Sequence, residues 1–100
     1  MKAVIFHSGA EFDLRAAAAY YERERKGLGR KLREEVEAAV GRIWRSPRLF
    51  PRHDQFGTRK CLVRRFPYTI FFIELEDQIW IAAVAHHKRE PGYWSGRRPD

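Results

Sequence analysis

Residues 59–85, RKCLVRRFPYTIFFIELEDQIWIAAVA, decide the fold. From Arg59 onward the side chains alternate in character with a period of about two, the mark of pleated strands rather than helix. Phe66-Pro67 interrupts the pattern once and Glu76-Asp77 a second time, giving strands over residues 59–65, 68–75 and 78–85. Links this short call for an antiparallel meander. The second and third strands are apolar on both faces, through Phe71, Phe72 and Ile73 and then Ile79, Trp80 and Ile81. They are expected at the centre of the sheet, covered at least partly on both sides.

Upstream of the meander the period lengthens. Residues 2–7 read as a short strand, because Val4, Ile5 and Phe6 are β-branched or aromatic and Ser8-Gly9 punctuates the end. Ser8 and Glu11 fit a capping box, which predicts a helix starting here, with Phe12, Ala16, Ala19 and Tyr20 on its apolar face and its end near Lys26. Gly27-Leu28-Gly29 breaks the pattern. A second stripe, Leu28, Leu32, Val36, Ala39, Val40 and Ile43, predicts another helix, which Ser46-Pro47 ends because the residue before proline avoids helical backbone. Gly41 lies inside it at a cost of about 1 kcal/mol relative to alanine. So short a link makes the two helices an antiparallel hairpin. Residues 48–58, with Pro51 and Gly57, read as an irregular loop.

The order β, α, α, β, β, β defines an α+β fold: an N-terminal strand, an antiparallel helical hairpin and a three-stranded antiparallel meander, forming one domain over residues 1–100. The hairpin covers one sheet face. Three accounts remain open for the aromatic opposite face: a partner covers it, the C-terminal segment covers it, or it reflects the apolar excess of a small domain.

The composition narrows the function classes. The 100 residues carry 20 Lys and Arg against 13 Asp and Glu, a formal charge of +7, and one cysteine. Cys61 alone can form no internal disulfide, no paired Cys-x-x-Cys motif offers a zinc ribbon, and a reducing cytoplasm is expected. The sequence shows neither a secretory leader pattern nor a run of about 18 apolar residues that could span a bilayer. Residues 41–65 hold Arg42, Arg45, Arg48, Arg52, Arg59, Lys60, Arg64 and Arg65 against Asp54 alone, while the remaining residues balance. One quarter of the chain therefore generates the net field, as a surface meeting a polyanion or an acidic protein requires.

The candidate chemistry lies on the first meander strand and after the last. Alternation places Lys60, Leu62 and Arg64 on one face of the strand and Arg59, Cys61, Val63 and Arg65 on the other. A phosphodiester transition state needs cations at its non-bridging oxygens and a proton donor at the leaving oxygen, roles that Lys or Arg with a nearby His or Tyr would suit, and His86, His87, Lys88 and Tyr93 follow the last strand. His86 and His87 must point to opposite faces if the strand persists, so at most one joins any given site. His7, His53, His86 and His87 show no helical i, i+4 pair and no thiolate cluster, so no metal site is expected; nor is any other cofactor. Cys61 reads as a buried small apolar residue. Tyr93 and Trp94, among Lys88, Arg89, Arg97 and Arg98, either stack on a partner or lid the core. The predicted helices and strands all precede residue 88, so a chain lacking residues 88–100 is expected to stay folded but to lose its activity.

Two runs then carry a resemblance: residues 64–72, RRFPYTIFF, and residues 81–94, IAAVAHHKREPGYW. With the N-terminal strand, the helical hairpin and the Ser46-Pro47 junction in place, nearly the whole chain resembles the RelE/ParE toxin superfamily, nearer its ParE-like members. The resemblance implies the toxin half of a type II toxin-antitoxin module, of the kind tied to growth inhibition and plasmid stabilisation. Its partners would be a cognate antitoxin and, for ParE-like members, DNA gyrase. For RelE-like members they would be the ribosome and its messenger RNA, which is cut by 2′-hydroxyl attack. That cleavage uses two lysines at i, i+2 on the second strand, an arginine after the next tyrosine, an arginine after the last strand and a later tyrosine. Here Lys60 and Tyr93 match, whereas Leu62, Thr69 and His87 stand where the second lysine and the two arginines belong. The resemblance therefore favours target binding over cleavage, with Arg59, Arg64, Arg65, Lys88, Arg89, Trp94 and Arg97 as candidate target- or antitoxin-binding residues. A RelE-type endoribonuclease and a basic nucleic-acid-binding module are the alternatives.

Overall fold

The computed structural model describes residues 2–99. Strand β1 (Ala3–Phe6) leads into helices α1 (Ser8–Glu24) and α2 (Leu28–Arg45); a 3-10 turn (Pro47–Leu49) precedes β2 (Thr58–Leu62), β3 (Tyr68–Glu74) and β4 (Gln78–His86). The four-stranded sheet has the order β1-β4-β3-β2. The meander is antiparallel as its short links require, and β1 adds in parallel beside β4, with Ile5 opposite Trp80. The α+β architecture read from the alternation is the one observed.

The helical hairpin lies on one sheet face. Leu32, Val36, Ala39 and Ile43 of α2 are buried against Ile70, Phe72, Ile79, Ile81 and Val84. Each large side chain withdrawn from water in this way contributes on the order of 2 kcal/mol. The helices cross closely at Gly29, where a Cβ would stand 2.5 Å from the Ala18 carbonyl oxygen. Gly27 turns the chain between them at φ 88°, and the Glu22 carboxylate accepts the amides of Gly27 and Gly29, which the start of α2 would otherwise leave unpaired. As expected, α2 stops just before Ser46-Pro47.

Three local expectations need correction. The cap of α1 is His7, whose Nδ1 accepts the Gly9 amide, so Ser8 is already helical and the capping box is not used. The buried face of α1 is Ala10, Asp13, Ala17 and Ala18, while Phe12 and Tyr20 are 62% and 50% exposed. An alanine-rich helix carries two weakly contrasted apolar faces, and packing against β4 selects the narrower one. Finally, β2 ends at Leu62 because the Val63 amide donates to Tyr68 and Arg65 turns the chain at φ 71°; Arg64 and Arg65 therefore belong to the turn.

The second sheet face is covered by the chain itself. A bulge where the register shifts between Phe71 and Phe72 leaves Ala82 and Ala83 both in the outer cluster, with Trp80 and Ala85, while Ile81 and Val84 join the helix-side core. Trp94 from the C-terminal segment stacks on Phe71 at 4.5 Å between ring centroids, and His53 meets both rings. Of the three accounts of this face, the C-terminal one holds. Trp94 is buried there, so the segment after β4 contributes to the packing of the sheet.

Candidate functional site

Beyond Ile81 the strand β4 outruns β1, and its free edge must find other partners. Asp13 of α1 supplies one: its Oδ2 accepts the Val84 amide at 3.1 Å and the Tyr93 hydroxyl at 3.0 Å. Arg97 Nη1 donates to the same oxygen at 2.9 Å and to the Ala82 carbonyl at 2.9 Å. Its guanidinium lies flat on Gly9, where any Cβ would stand 2.5 Å from Arg97 Cζ. This buried tether fixes the C-terminal segment against α1 and β4. Composition and periodicity missed it. The available sign was an acid at position 13 flanked by Phe12 and Leu14, four residues before Ala17.

The tether fixes Tyr93 as well. Burial raises its phenol well above the usual tyrosine range, and the Asp13 charge and hydrogen bond raise it further, against a smaller lowering by Arg97 and Arg89. Arg89 sits over the ring at 3.9 Å from its centroid. A hydroxyl that already donates to a carboxylate and holds its proton this firmly is poorly matched to general-acid work near neutrality.

On the outer face, Thr69 Oγ1 and His87 Nε2 share a hydrogen bond at 3.1 Å. His86 points the other way, edge-on to Tyr68, as strand alternation requires. His87, Thr69, Tyr93, Trp94, Arg89 and His53 border one cleft of about 250 Å³. The fold thus brings His87 and Tyr93 together, but Lys60 is not part of that cleft; it sits two strands from β4, opposite Phe71 of β3. His53, from the loop before β2, is a member that sequence spacing did not single out.

The remaining candidates separate by exposure. Arg59 donates to the Phe50 carbonyl at 2.7 Å, and Arg65 lies 3.5 Å from Glu35. Arg64, Arg65, Lys88 and Arg89 are exposed, and Arg59 is half-buried. Trp94 is buried against the sheet and Arg97 is paired with Asp13. Burial pushes the Cys61 thiol up, in keeping with its role as a core residue. Among the described residues no three His, Cys, Asp or Glu side chains converge to hold a metal ion, and no helix is long and apolar enough to cross a membrane.

The sequence matches, over residues 4–91, the family described as the ParE toxin of the type II toxin-antitoxin system parDE, and the chain belongs to that family. A chain solved within the chromosomal ParDE TA system from P. aeruginosa is similar in fold, with a TM-score of 0.65 at 19% sequence identity, covering 86% of this chain and 96% of that one. No curated protein is similar enough in sequence to count as a match. A ParE-like toxin of the RelE/ParE superfamily implies an antitoxin partner.

Proposed function

We propose that this toxin arrests growth in the cytoplasm by occupying a protein target, DNA gyrase, and that a cognate antitoxin neutralises it. The observation that carries the reading is the commitment of Tyr93 to Asp13. Of the nuclease set only Lys60 and Tyr93 are matched in the sequence, and Tyr93 holds its proton in a structural tether. Removing charge-stabilising groups from a phosphoryl site costs on the order of 3 kcal/mol each, so Leu62, Thr69 and His87 leave little catalytic power. The target-facing set is Arg59, Arg64, Arg65, Lys88 and Arg89, with Trp94 and Arg97 holding the segment that carries Lys88 and Arg89. The exposed rings of Phe12 and Tyr20 offer apolar anchors for an acidic, amphipathic antitoxin segment, whose binding is expected at nanomolar strength.

The rival reading is ribosome-dependent message cleavage, supported by His87 and Tyr93 bordering one cleft. Purified toxin added to gyrase and, separately, to programmed ribosomes tests the two. Loss of supercoiling or trapping of cleaved DNA, with intact message, is expected. Cleavage of ribosome-bound message that disappears in His87→Ala, beside normal supercoiling, overturns the proposal. Co-expression with the product of the adjacent reading frame tests the antitoxin part, which fails if no complex elutes.

A further inference from the structure

The basic segment has a division of labour that its sequence does not display. Four of its eight cations have partners within the molecule: Arg42 donates to the Leu62 carbonyl at 3.2 Å, Arg48 to Glu74 at 3.1 Å and Arg59 to the Phe50 carbonyl at 2.7 Å, while Arg65 lies 3.5 Å from Glu35; Arg48 and Arg65 stay at the surface. The other four, Arg45, Arg52, Lys60 and Arg64, are exposed, and among the described residues their side chains make no hydrogen bond or ion pair. Internal pairing therefore engages half of the cations and leaves the other half without a partner among the described residues.

The unpartnered half lies on and around β2, the edge strand of the sheet. Arg52 bridges to Arg59 beside the start of β2, and the Lys60 amide donates to Pro51 in the same stretch. Lys60, Leu62 and Arg64 are the exposed residues of an alternating run in which Cys61 and Val63 are buried. Past Leu62, Arg64 meets Arg42 and Arg45 around a groove floored by Ala38 and Gly41. Cations thus flank the β2 edge on both sides, Lys60 on the outer face opposite Phe71, Arg52 beside Arg59 on the helix-side face, and Arg64 with Arg45 at the groove. Gly41 belongs to this account: a Cβ there would meet only the flexible Arg45 guanidinium, at 3.5 Å. Packing therefore does not demand a glycine at a helical position where it weakens the helix. Its absent side chain keeps the groove floor open.

The chemistry of the occupant follows from what this edge lacks. A strand cannot add to it, because Lys60 N–H is taken by Pro51, the Thr58 carbonyl by His53 N–H and the Leu62 carbonyl by Arg42. The groove contains no aromatic ring on which unpaired bases would stack. Between Lys60 and Arg64 Leu62 is the one apolar side chain on the surface, 65% exposed, and the exposed Leu49 and Phe56 lie upstream of β2, whereas a protein partner draws its affinity from a cluster of buried apolar anchors. A polyanionic backbone needs cations alone, and guanidinium forks suit phosphate oxygens. Glu34 and Glu37 close the far side of the groove and mark where such a backbone must turn away.

We propose that the β2 edge, through Arg45, Arg52, Lys60 and Arg64, binds the phosphate backbone of duplex DNA without reading its sequence. This contact is independent of the gyrase reading and survives its failure. Fluorescence anisotropy of a labelled short duplex with the full chain gives the test. Four phosphates neutralised predict a log–log salt slope near −3.6, so affinity should fall roughly 100-fold between about 50 and about 200 mM salt. The triple variant Arg45→Gln/Lys60→Gln/Arg64→Gln should bring the slope to about −1, and single Lys60→Gln or Arg64→Gln changes should each remove about one unit. A triple variant on α1 and its end, Arg15→Gln/Arg23→Gln/Lys26→Gln, loses the same charge and should leave the slope as in wild type. Equal weakening by the two triples would assign binding to net charge and overturn the proposal. So would absence of duplex binding at the lower salt, or loss of poly-glutamate binding rather than DNA binding in the first triple.

Discussion

The Arg97 guanidinium donates to the Asp13 carboxylate at 2.9 Å across 84 positions of the chain, and both side chains are largely buried, at 18% and 4% exposure. The pair joins the C-terminal segment to α1 at the point where the edge of β4 runs past β1. It holds two things in place at once: Tyr93, whose hydroxyl shares the Asp13 oxygen, and the segment whose Trp94 covers the outer sheet face.

Breaking this pair from one side should be costly. Arg97→Ala leaves the Asp13 charge buried with only neutral donors, and is expected to lower stability by about 3 kcal/mol. Chemical denaturation should show an earlier midpoint at an unchanged slope. The double variant Asp13→Leu/Arg97→Met, which removes both charges, should lose less than the two single changes added together. An Arg97→Ala midpoint equal to wild type would show that the tether carries no stability.

Two helical glycines should respond in opposite directions. Gly29→Ala drives a methyl to 2.5 Å from the Ala18 backbone oxygen, which cannot move away cheaply, so a loss of about 1–3 kcal/mol is expected. Gly41→Ala meets only the Arg45 side-chain tip and should gain about 0.5–1 kcal/mol from helix propensity. Thermal melts of the two variants, with wild type between them, check the pair.

What the sequence made legible depended on contrast. The meander and α2 could be read because large apolar side chains alternate with charged ones: Leu32, Val36 and Ile43 face the core while Arg33, Glu34 and Glu37 face water. The buried face of α1 could not, since Ala10, Ala17 and Ala18 differ little from Ala16 and Ala19 in burial free energy, and Phe12 and Tyr20 drew the reading to the wrong side. Trp94 as a lid was one of two local readings, and its stacking on Phe71 selects it. The partnership of Asp13 with Arg97 and Tyr93 was out of reach. It arises only because β1 ends before β4 does, a fact of tertiary pairing that no local window contains. The same holds for the basic segment, where the chain supplies eight cations and only the fold decides which four find partners within it.

Opposed pH dependences should appear at the two ends of the scale. Hydrogen bonds from Lys2 and Arg48 hold the Glu74 carboxyl below its ordinary range in the folded chain. Its contribution is therefore present above the unfolded-state value and lost as pH falls through the folded one. The stability gap between wild type and Glu74→Gln should close on acidification. Tyr68 behaves in the reverse sense: burial, then the neighbouring Tyr21, pushes its phenol up to about 12. Stability from Tyr68 is full below the ordinary tyrosine value and lost as pH rises towards about 12. Denaturation midpoints across the acid range, and ultraviolet titration of the tyrosines at alkaline pH, measure the two; Tyr68 ionising with the exposed Tyr20 would contradict the second.

The C-terminal segment combines a structural half and an exposed half, which single substitutions can separate where truncation cannot. Removing residues 88–100 takes away Trp94 and Arg97 together with Lys88 and Arg89, so lost toxicity in such a chain would not separate lost packing from lost target contact. Trp94→Ala should by itself cost about 3–5 kcal/mol, because it empties the space over Phe71. Lys88 and Arg89 are exposed, and Arg89 touches the fold mainly through the Tyr93 ring. Lys88→Gln/Arg89→Gln is therefore expected to remain folded, losing no more than about 1 kcal/mol from the cation–π contact. If these cations face the target, that variant should lose growth inhibition while its circular dichroism and denaturation midpoint stay near wild type. Full toxicity in the Lys88→Gln/Arg89→Gln chain would remove both residues from the target-facing set and leave the segment with its covering role alone.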